Sequence, residues 1–300
     1  MAEAVYDCIV IGGGPAGLTA AIYLARFHRR VLVVDKGNSR MAAAPRIRNL
    51  IGYADGISGN ALLRRLKRQL ALYKVPFLNA EAVISRRQGL FDVSAGEKTY
   101  TAKFVILATG VRDIQPEGAD WKELCRMGVL KYCPVCDGFE QTHKKIAVLI
   151  NSNAGFRNVK FISQFTKRIT AVVTKNIQVS KQSENEVRRM GIKVLKGELT
   201  SLKLHPIRKT LLIKFKSQRQ LEVQMAYVEL GFRVQKSAFI NLKGLKRVQN
   251  GHIRTNRHLE TSIKNLYAAG DCTNTLAQVS VAAGEAAIAA TDIHNKLNKK

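Results

Sequence analysis

Residues 5–35 constrain the fold more tightly than any other part of the 300-residue chain. An apolar run from Val5 to Ile11 leads into Gly12-Gly13-Gly14-Pro15-Ala16-Gly17. Apolar residues from Leu18 to Phe27 then recur at helical spacing, and Val31-Leu32-Val33-Val34 ends in Asp35. Strand, glycine turn, helix and second strand make a βαβ unit, and the turn carries GxGxxG at Gly12, Gly14 and Gly17. Gly12 permits the tight turn, Gly14 lets the backbone approach a pyrophosphate, and Gly17 lets the helix pack closely on the strand. Phosphates would sit on the helix N-terminus, where unpaired N–H groups and the dipole favour anions. Asp35 follows Gly17 by 18 residues, at the end of the second strand, where a carboxylate hydrogen-bonds a ribose hydroxyl. A glycine turn without a ligand is the alternative, and the complete set of strand, helix, strand and acid weighs against it.

Residues 38–58 read as a loop with Pro45, Gly52 and Gly56, followed by a helix from about Asn60 to Lys74. That helix sets Leu62, Leu63, Leu66, Leu70 and Leu72 against Arg64, Arg65, Lys67, Arg68 and Lys74, a solvated basic face. Alternation at 82–85, 90–94 and 98–108 predicts antiparallel strands ending in Ala108-Thr109-Gly110. A second βαβ pattern starts at Lys144: strand 146–150, helix 155–165, strand 169–174, helix 183–190 and strand 192–195. Strands at 199–204, 210–215 and 221–230 follow. The architecture repeats without its glycines. Ile150, Ser152 and Gly155 stand at the three fingerprint positions, and Thr174-Lys175-Asn176 offers one cation and no arginine for a ribose phosphate. NADPH binding in the ordinary manner is therefore not expected of this domain. The chain closes with Asn265-Leu266-Tyr267-Ala268-Ala269-Gly270-Asp271-Cys272 and an alanine-rich helix at 276–297. Asp271 either faces a flavin's ribityl or phosphate groups or caps a helix.

Cys133-Pro134-Val135-Cys136-Asp137-Gly138 carries the chemistry. In a CxxC pair one sulfur attacks a disulfide and the other resolves the mixed disulfide, while the adjacent Asp137 passes the proton each thiolate step requires. CxxC is also half of a zinc site. The other cysteines, Cys8, Cys125 and Cys272, form no second pair, and no histidine pair follows at zinc-finger spacing, so redox is the favoured reading and no metal is expected. Cys8 lies in a core strand and reads as inert, Cys125 and Cys272 matter only if they approach the pair, and His143 reads as a surface residue. Trp121 and Tyr132 read as packing residues. Five cysteines make no secreted disulfide framework, Glu3 and Asp7 replace a basic leader, and no apolar stretch spans a bilayer. The expected location is cytoplasmic, away from membranes.

Charge is unevenly spread. The chain has 49 Lys plus Arg against 22 Asp plus Glu, for +27, and residues 141–247 hold 23 basic and 5 acidic side chains, or +18. That field attracts acidic partners; a uniformly basic proteome would produce the same balance. The basic residues do not form a nucleic-acid motif with interleaved aromatics, so nucleic acid is not an expected partner.

In order along the chain, Gly12 to Gly17, Asn49 to Gly59, Ala108-Thr109-Gly110, Cys133 to Gly138 and Ala269-Gly270-Asp271 resemble the low-molecular-weight thioredoxin reductases over nearly the full length. Pro134 resembles a bacterial branch of thioredoxin-reductase-like FAD-dependent oxidoreductases, and Gln278 to Ala290 is similar to the family's flavin-contacting helix. The resemblance implies an α/β protein of two Rossmann-like, three-layer domains, the second inserted into the first. Residues 1–115 and 248–300 would form the FAD domain and 116–247 the pyridine-nucleotide-type domain. It implies FAD held by Gly12, Gly14, Pro15, Ala16, Gly17, Asp35, Asn49, Thr109, Gly110, Gly270, Asp271, Gln278, Val279 and Ser280. Cys136 would face the flavin, Cys133 would attack the substrate, Asp137 would be the general acid, and the protein would be a homodimer. NADPH-using members carry a glycine fingerprint and an arginine cluster in the second domain, which this chain lacks. Ferredoxin-dependent, diflavin and dithiol-oxidase relatives are similar in keeping FAD and CxxC while losing part of the nicotinamide site.

The expected function is thus an FAD-dependent disulfide oxidoreductase. Electrons would pass between flavin and the Cys133/Cys136 pair and then to a thioredoxin-like protein or small disulfide, with an acidic donor such as ferredoxin or flavodoxin in place of NADPH. A dithiol oxidase using oxygen is the reverse reading, separated only by reduction potential. A non-catalytic flavin-binding regulator is the third, opposed by the intact Cys133, Cys136 and Asp137.

Overall fold

The computed structural model describes residues 5–174, 179–248 and 250–299. Two compact units divide the chain: one of Met1–Ala42, Gly59–Arg112 and Arg233–Lys300, the other of Ala43–Ser58 and Asp113–Phe232.

Unit one opens with β1 (Tyr6–Ile11), α1 (Pro15–Arg26) and β2 (Val31–Asp35), and continues with α2 (Gly59–Ala71), β3 (Phe77–Asn79), β4 (Ala82–Arg87), β5 (Leu90–Ala95), β6 (Lys98–Leu107) and β7 (Val111–Asp113). β1 lies between β2 and β6, parallel to both, while β4, β5 and β6 form an antiparallel meander. Parallel strands covered on both faces need apolar residues throughout. Here alternate residues serve two cores. Cys8, Val10, Val31 and Val33 pack with Leu18 and Leu24 of α1; Ile9, Ile11, Leu32 and Val34 pack with Ile84, Phe91 and Val93 of the meander. The result is helix layer, parallel sheet and meander, the three-layer arrangement expected. α2 buries Leu62 and Leu70 and exposes its arginines, but it ends at Ala71; Lys74 adopts a left-handed φ of 52° and Leu72 is exposed, so neither extends the helix as the periodicity predicts.

Unit two contains α3 (Trp121–Arg126), β8 (Leu130–Lys131), α4 (Pro134–Asp137), β9 (Ile146–Ile150), α5 (Asn153–Ile162), β10 (Ile169–Val173), α6 (Lys181–Arg189), β11 (Lys193–Lys196), β12 (Leu199–Leu204), β13 (Leu211–Phe215), β14 (Gln220–Val223) and β15 (Met225–Glu229). Its parallel sheet runs β11-β10-β9-β15-β8, and β12-β13-β14 form a separate antiparallel sheet. The predicted strand at 221–230 is in fact two strands in different sheets. Gln224 separates them, its N–H donating to the Lys145 carbonyl at 2.9 Å and its Oε1 accepting from Lys145 N–H at 2.8 Å.

The chain returns to unit one through β16 (Phe232–Val234), β17 (Leu266–Ala268) and α7 (Val279–Asn298). β17 joins the far half of β6 in parallel, and α7 brings Ala286, Ala289 and Ala290 into the core shared with α1. The unit boundaries differ from the expected 115/116 and 247/248 in three segments, the shortest being 113–115, which falls in unit two. Residues 233–247 belong to unit one because Ala238, Phe239 and Leu242 are buried in its second core. Ala43–Ser58 belongs to unit two, where Arg48 pairs with Glu140 at 3.5 Å.

Candidate functional site

In unit one the glycine turn forms a cradle. Gly12 has φ +115°, and a Cβ there would sit 2.2 Å from the Ala108 carbonyl oxygen; a Cβ on Gly17 would sit 1.8 Å from the Gly12 carbonyl oxygen. Both positions are therefore closed to any side chain, as the tight turn and close helix approach require. Gly14 differs. A Cβ on it would meet only Ser39 Oγ at 3.5 Å, so its glycine leaves open space above the backbone. Gly14 is also the N-cap of α1, with Pro15 at the first helical position and no side chain capping the end, so the helix presents free N–H groups. Asp35 ends β2, 8% exposed, against the same turn, where a Cβ on Gly13 would come within 2.5 Å of its Oδ2.

The other predicted residues of unit one gather on this cradle or frame it. Gly270, at φ +79°, lies against Ala16, with a hypothetical Cβ 2.9 Å from the alanine methyl. Its N–H donates to Glu285 Oε2 at 2.7 Å, and Thr273 Oγ1 donates to the same carboxylate at 3.0 Å. Asp271 pairs with Arg40 at 3.0 Å. It caps no helix: α7 starts at Val279 with Gln278 at its N-cap and Ser280 in its first turn, again without a side-chain capping bond from Gln278. Gly110 turns with φ +62° and Thr109 precedes it. The Thr109 hydroxyl is buried with no hydrogen-bond partner among the described residues, a costly state that a ligand atom would relieve. Asn49 lies in unit two, its amide donating to the Val135 carbonyl at 3.5 Å.

In unit two Cys133 and Cys136 are joined as a disulfide across the start of α4, with Pro134 at the first helical position. Asp137 follows, and its carboxylate is held on both oxygens. Lys131 Nζ donates to Oδ2, and the Tyr227 hydroxyl donates to Oδ1 at 2.6 Å. Tyr227 and Lys131 are cross-strand partners of β15 and β8, which explains why both reach one carboxylate. Burial, reinforced by the Asp137 charge, pushes the Tyr227 phenol well above the usual tyrosine range, so it remains a donor. The remaining thiols are buried and form no disulfide. Burial pushes Cys8 upward and Cys125 and Cys272 up to about 12. His143 is exposed. Among the described residues no group of three or more His, Cys, Asp or Glu converges to hold a metal ion, and no helix is long and apolar enough to cross a membrane.

The second βαβ unit places Ile150 differently from its predicted role. Ile150 is fully buried, and a Cβ on Gly155 would lie 2.6 Å from its Cβ and Cγ2. The isoleucine fills the space between β9 and α5 and is a core residue. Ser152 does face the end of α5 as its N-cap. Glu229 ends β15 in register with Ile150, and Asn158 Nδ2 donates to its Oε2 at 2.6 Å. Lys175 and Asn176 lie outside the described residues.

The pattern that defines the pyridine nucleotide-disulphide oxidoreductases matches residues 6–286. The chain belongs to that family. Thioredoxin reductase of Bacillus subtilis strain 168 is 26% identical over 306 residues, covering 98% of this chain and 95% of the relative. That of Treponema pallidum strain Nichols is 27% identical over 308 residues, covering 96% of each. Among solved structures, thioredoxin reductase from Streptococcus pyogenes MGAS5005 superposes with a TM-score of 0.90 at 24% identity over 100% of both chains. This oxidoreductase is thioredoxin-reductase-like, and its cofactor is FAD.

The residues present fit that cofactor. The open face of Gly14 and the uncapped α1 N-terminus could hold phosphates, the Asp35 carboxylate could hold a ribose hydroxyl, and the unpartnered Thr109 hydroxyl could take a ligand atom. Four residues escaped the sequence reading: Gly13, Glu285, Lys131 and Tyr227. Gly13 stood inside the fingerprint, Lys131 two residues before Cys133 and Glu285 inside the Gln278 to Ala290 stretch; Tyr227 carried no local signal.

Proposed function

We propose that the protein catalyses dithiol–disulfide exchange through Cys133 and Cys136, reducing a thioredoxin-like protein or a small disulfide. The Cys133–Cys136 disulfide beside a clamped Asp137, in a chain of the FAD-binding family, carries this reading. Bound FAD supplies the two-electron reduction that regenerates the dithiol. The Cys133 thiolate attacks one sulfur of the substrate disulfide, forming a mixed disulfide and expelling the first thiolate. The Cys136 thiolate then attacks Cys133 Sγ, closing the pair and expelling the second. Asp137, oriented by Lys131 and Tyr227, accepts and returns the proton these steps exchange. Unit one holds the cofactor through Gly12, Gly14, Pro15, Ala16, Gly17, Asp35, Thr109, Gly110, Gly270, Asp271 and the Gln278-Val279-Ser280 turn.

The proposed donor is an acidic electron-transfer protein rather than a pyridine nucleotide. Ser152 at the phosphate-facing position, the Glu229 carboxylate beside Ile150 and the +18 balance of residues 141–247 support it. The proposed location is the cytoplasm, on the cysteine usage, and the proposed assembly is the homodimer that the resemblance implies. Anaerobic titration of the holoenzyme tests the core of the proposal. Full reduction should take four electrons per protomer, and two in Cys136→Ser. Equal uptake by both proteins would refute a redox-active pair. Adding NADPH or NADH first tests the donor: an oxidised flavin spectrum should persist, and bleaching within seconds would overturn that part.

A further inference from the structure

Unit two contains a cavity of about 490 Å³ walled in part by Lys131 and Asp137. Six cationic side chains line it: Arg46, Arg48, Lys131, Lys144, Arg208 and Lys209. Three are neutralised. Lys131 lies on Asp137, Arg48 pairs with Glu140 at 3.5 Å, and Arg208 pairs with Glu222 at 2.7 Å. The other three have no carboxylate partner among the described residues. Arg46 donates to the Asp55 carbonyl at 3.1 Å, Lys144 donates to Gln141 Oε1 at 3.1 Å, and the Lys209 ammonium has no partner among the described residues. Three uncompensated cations around one concavity concentrate anions there, and a recess of this size suits a small molecule rather than the convex face of a protein. The position matters as much as the charge, because the wall is the acid of the redox motif itself.

We propose that this cavity seats the anionic arms of a small disulfide, making dianionic disulfides the favoured substrates of the Cys133–Cys136 pair. The inference rests on the exchange function proposed above and names its substrate class. The balance is complete within the reduced protein: two protein thiols and one substrate disulfide give the Cys133–Cys136 disulfide and two substrate thiols.

The test uses holoenzyme reduced anaerobically with dithiothreitol and desalted. Single-turnover rates are compared for three disulfides of similar size: dithiodipropionate, hydroxyethyl disulfide and cystamine, which are dianionic, neutral and dicationic. Each rate is divided by that of the same disulfide with free dithiothreitol, which removes intrinsic reactivity. The normalised rate should be about tenfold higher for the dianion than for the neutral disulfide, the sum of three modest charge contacts. Cystamine should fall below both, and the gap should close near 1 M salt, where the screening length is about 3 Å. Lys144→Gln/Lys209→Gln should reduce the dianion-to-neutral ratio below about threefold on the same reasoning. That ratio is internal to each sample, so partial unfolding of the variant cancels. Equal normalised rates, or a preference for cystamine, would overturn the cavity assignment and leave the exchange function standing. Calorimetry with suberate, in which two methylenes replace the sulfurs, separates the opposite case. Suberate binding to the wild-type oxidised protein and not to the variant, with no turnover of any disulfide, would uphold the anion site and refute the exchange function. Absence of suberate binding would refute the site.

Discussion

Replacing Lys131 by methionine tests whether Asp137 depends on its clamp. Methionine keeps the unbranched, flexible stem, one atom shorter, and removes the ammonium. The Asp137 side chain is 14% exposed and is held by Lys131 on one oxygen and by Tyr227, at 2.6 Å, on the other. Removing one partner of a fully buried ion pair costs about 3–5 kcal/mol, because it strands a charge. Two features lower the figure here. Residual exposure admits water, and the Tyr227 bond, worth about 1.5–3 kcal/mol to a charged acceptor, survives. A loss of about 2–3 kcal/mol from unit two is therefore expected. Trp121 is the single tryptophan and begins α3 of that unit, so its fluorescence in urea reports the relevant transition. With a slope of about 2 kcal/mol per molar urea, the midpoint should fall by about 1–1.5 M. Lys131→Met/Asp137→Asn removes both charges and should recover at least about 1 kcal/mol relative to Lys131→Met. A Lys131→Met midpoint within about 0.3 M of wild type, or a double variant less stable than the single, would show that Asp137 is solvated and needs no counter-ion.

Thr109→Val removes a buried hydroxyl without a partner; the flavin-free protein should gain about 1–2 kcal/mol while flavin affinity falls, and unchanged flavin retention would refute the role given to Thr109. Gly17→Ala should cost about 3 kcal/mol or more, because its methyl meets the Gly12 carbonyl at 1.8 Å, whereas Gly14→Ala should fold normally and lose flavin, as melting curves and flavin absorbance would record. A thiol reagent added near pH 8 to the reduced native protein should label two cysteines rapidly, Cys133 and Cys136, and all five only after denaturation, since burial raises the other three. Tyr227 and Tyr267 have folded pKa values raised chiefly by burial, so the stability they contribute is complete below the unfolded value of about 10 and is lost above it. The fall of the urea midpoint above about pH 10 should be smaller in Tyr227→Phe than in wild type.

What the sequence disclosed follows from how local each constraint is. Gly12 and Gly17 are dictated by contacts within one turn and the strand beside it, so their spacing alone predicts the cradle. Cys133, Cys136 and Asp137 are neighbours along the chain and could be read together. Tyr227 could not, because it reaches Asp137 only through the register of β15 on β8, 90 residues away. That register is concealed further by the apolar continuity of 221–230, which Gln224 interrupts through bonds to Lys145, a residue from another part of the chain. The lysine-containing stretch 233–247 likewise gave no sign of its burial in unit one, since Ala238, Phe239 and Leu242 enter that core, with Val234 and Leu245 against it, at no regular spacing.

The two βαβ units also separate two demands that one fingerprint merges. In unit one the space at Gly17 is filled by the Gly12 carbonyl; in unit two the space at Gly155 is filled by the Ile150 side chain. Both helices press on their first strand, so the third glycine reports packing and says nothing of a ligand. The position that caps the helix is the second glycine, Gly14 in one unit and Ser152 in the other. Gly14 leaves its surroundings open, while Ser152 adds a side chain, and Glu229 brings a carboxylate to the strand end beside it. A single frame therefore serves twice as scaffold, and the two copies differ at the helix-capping residue and in the charge at the neighbouring strand end.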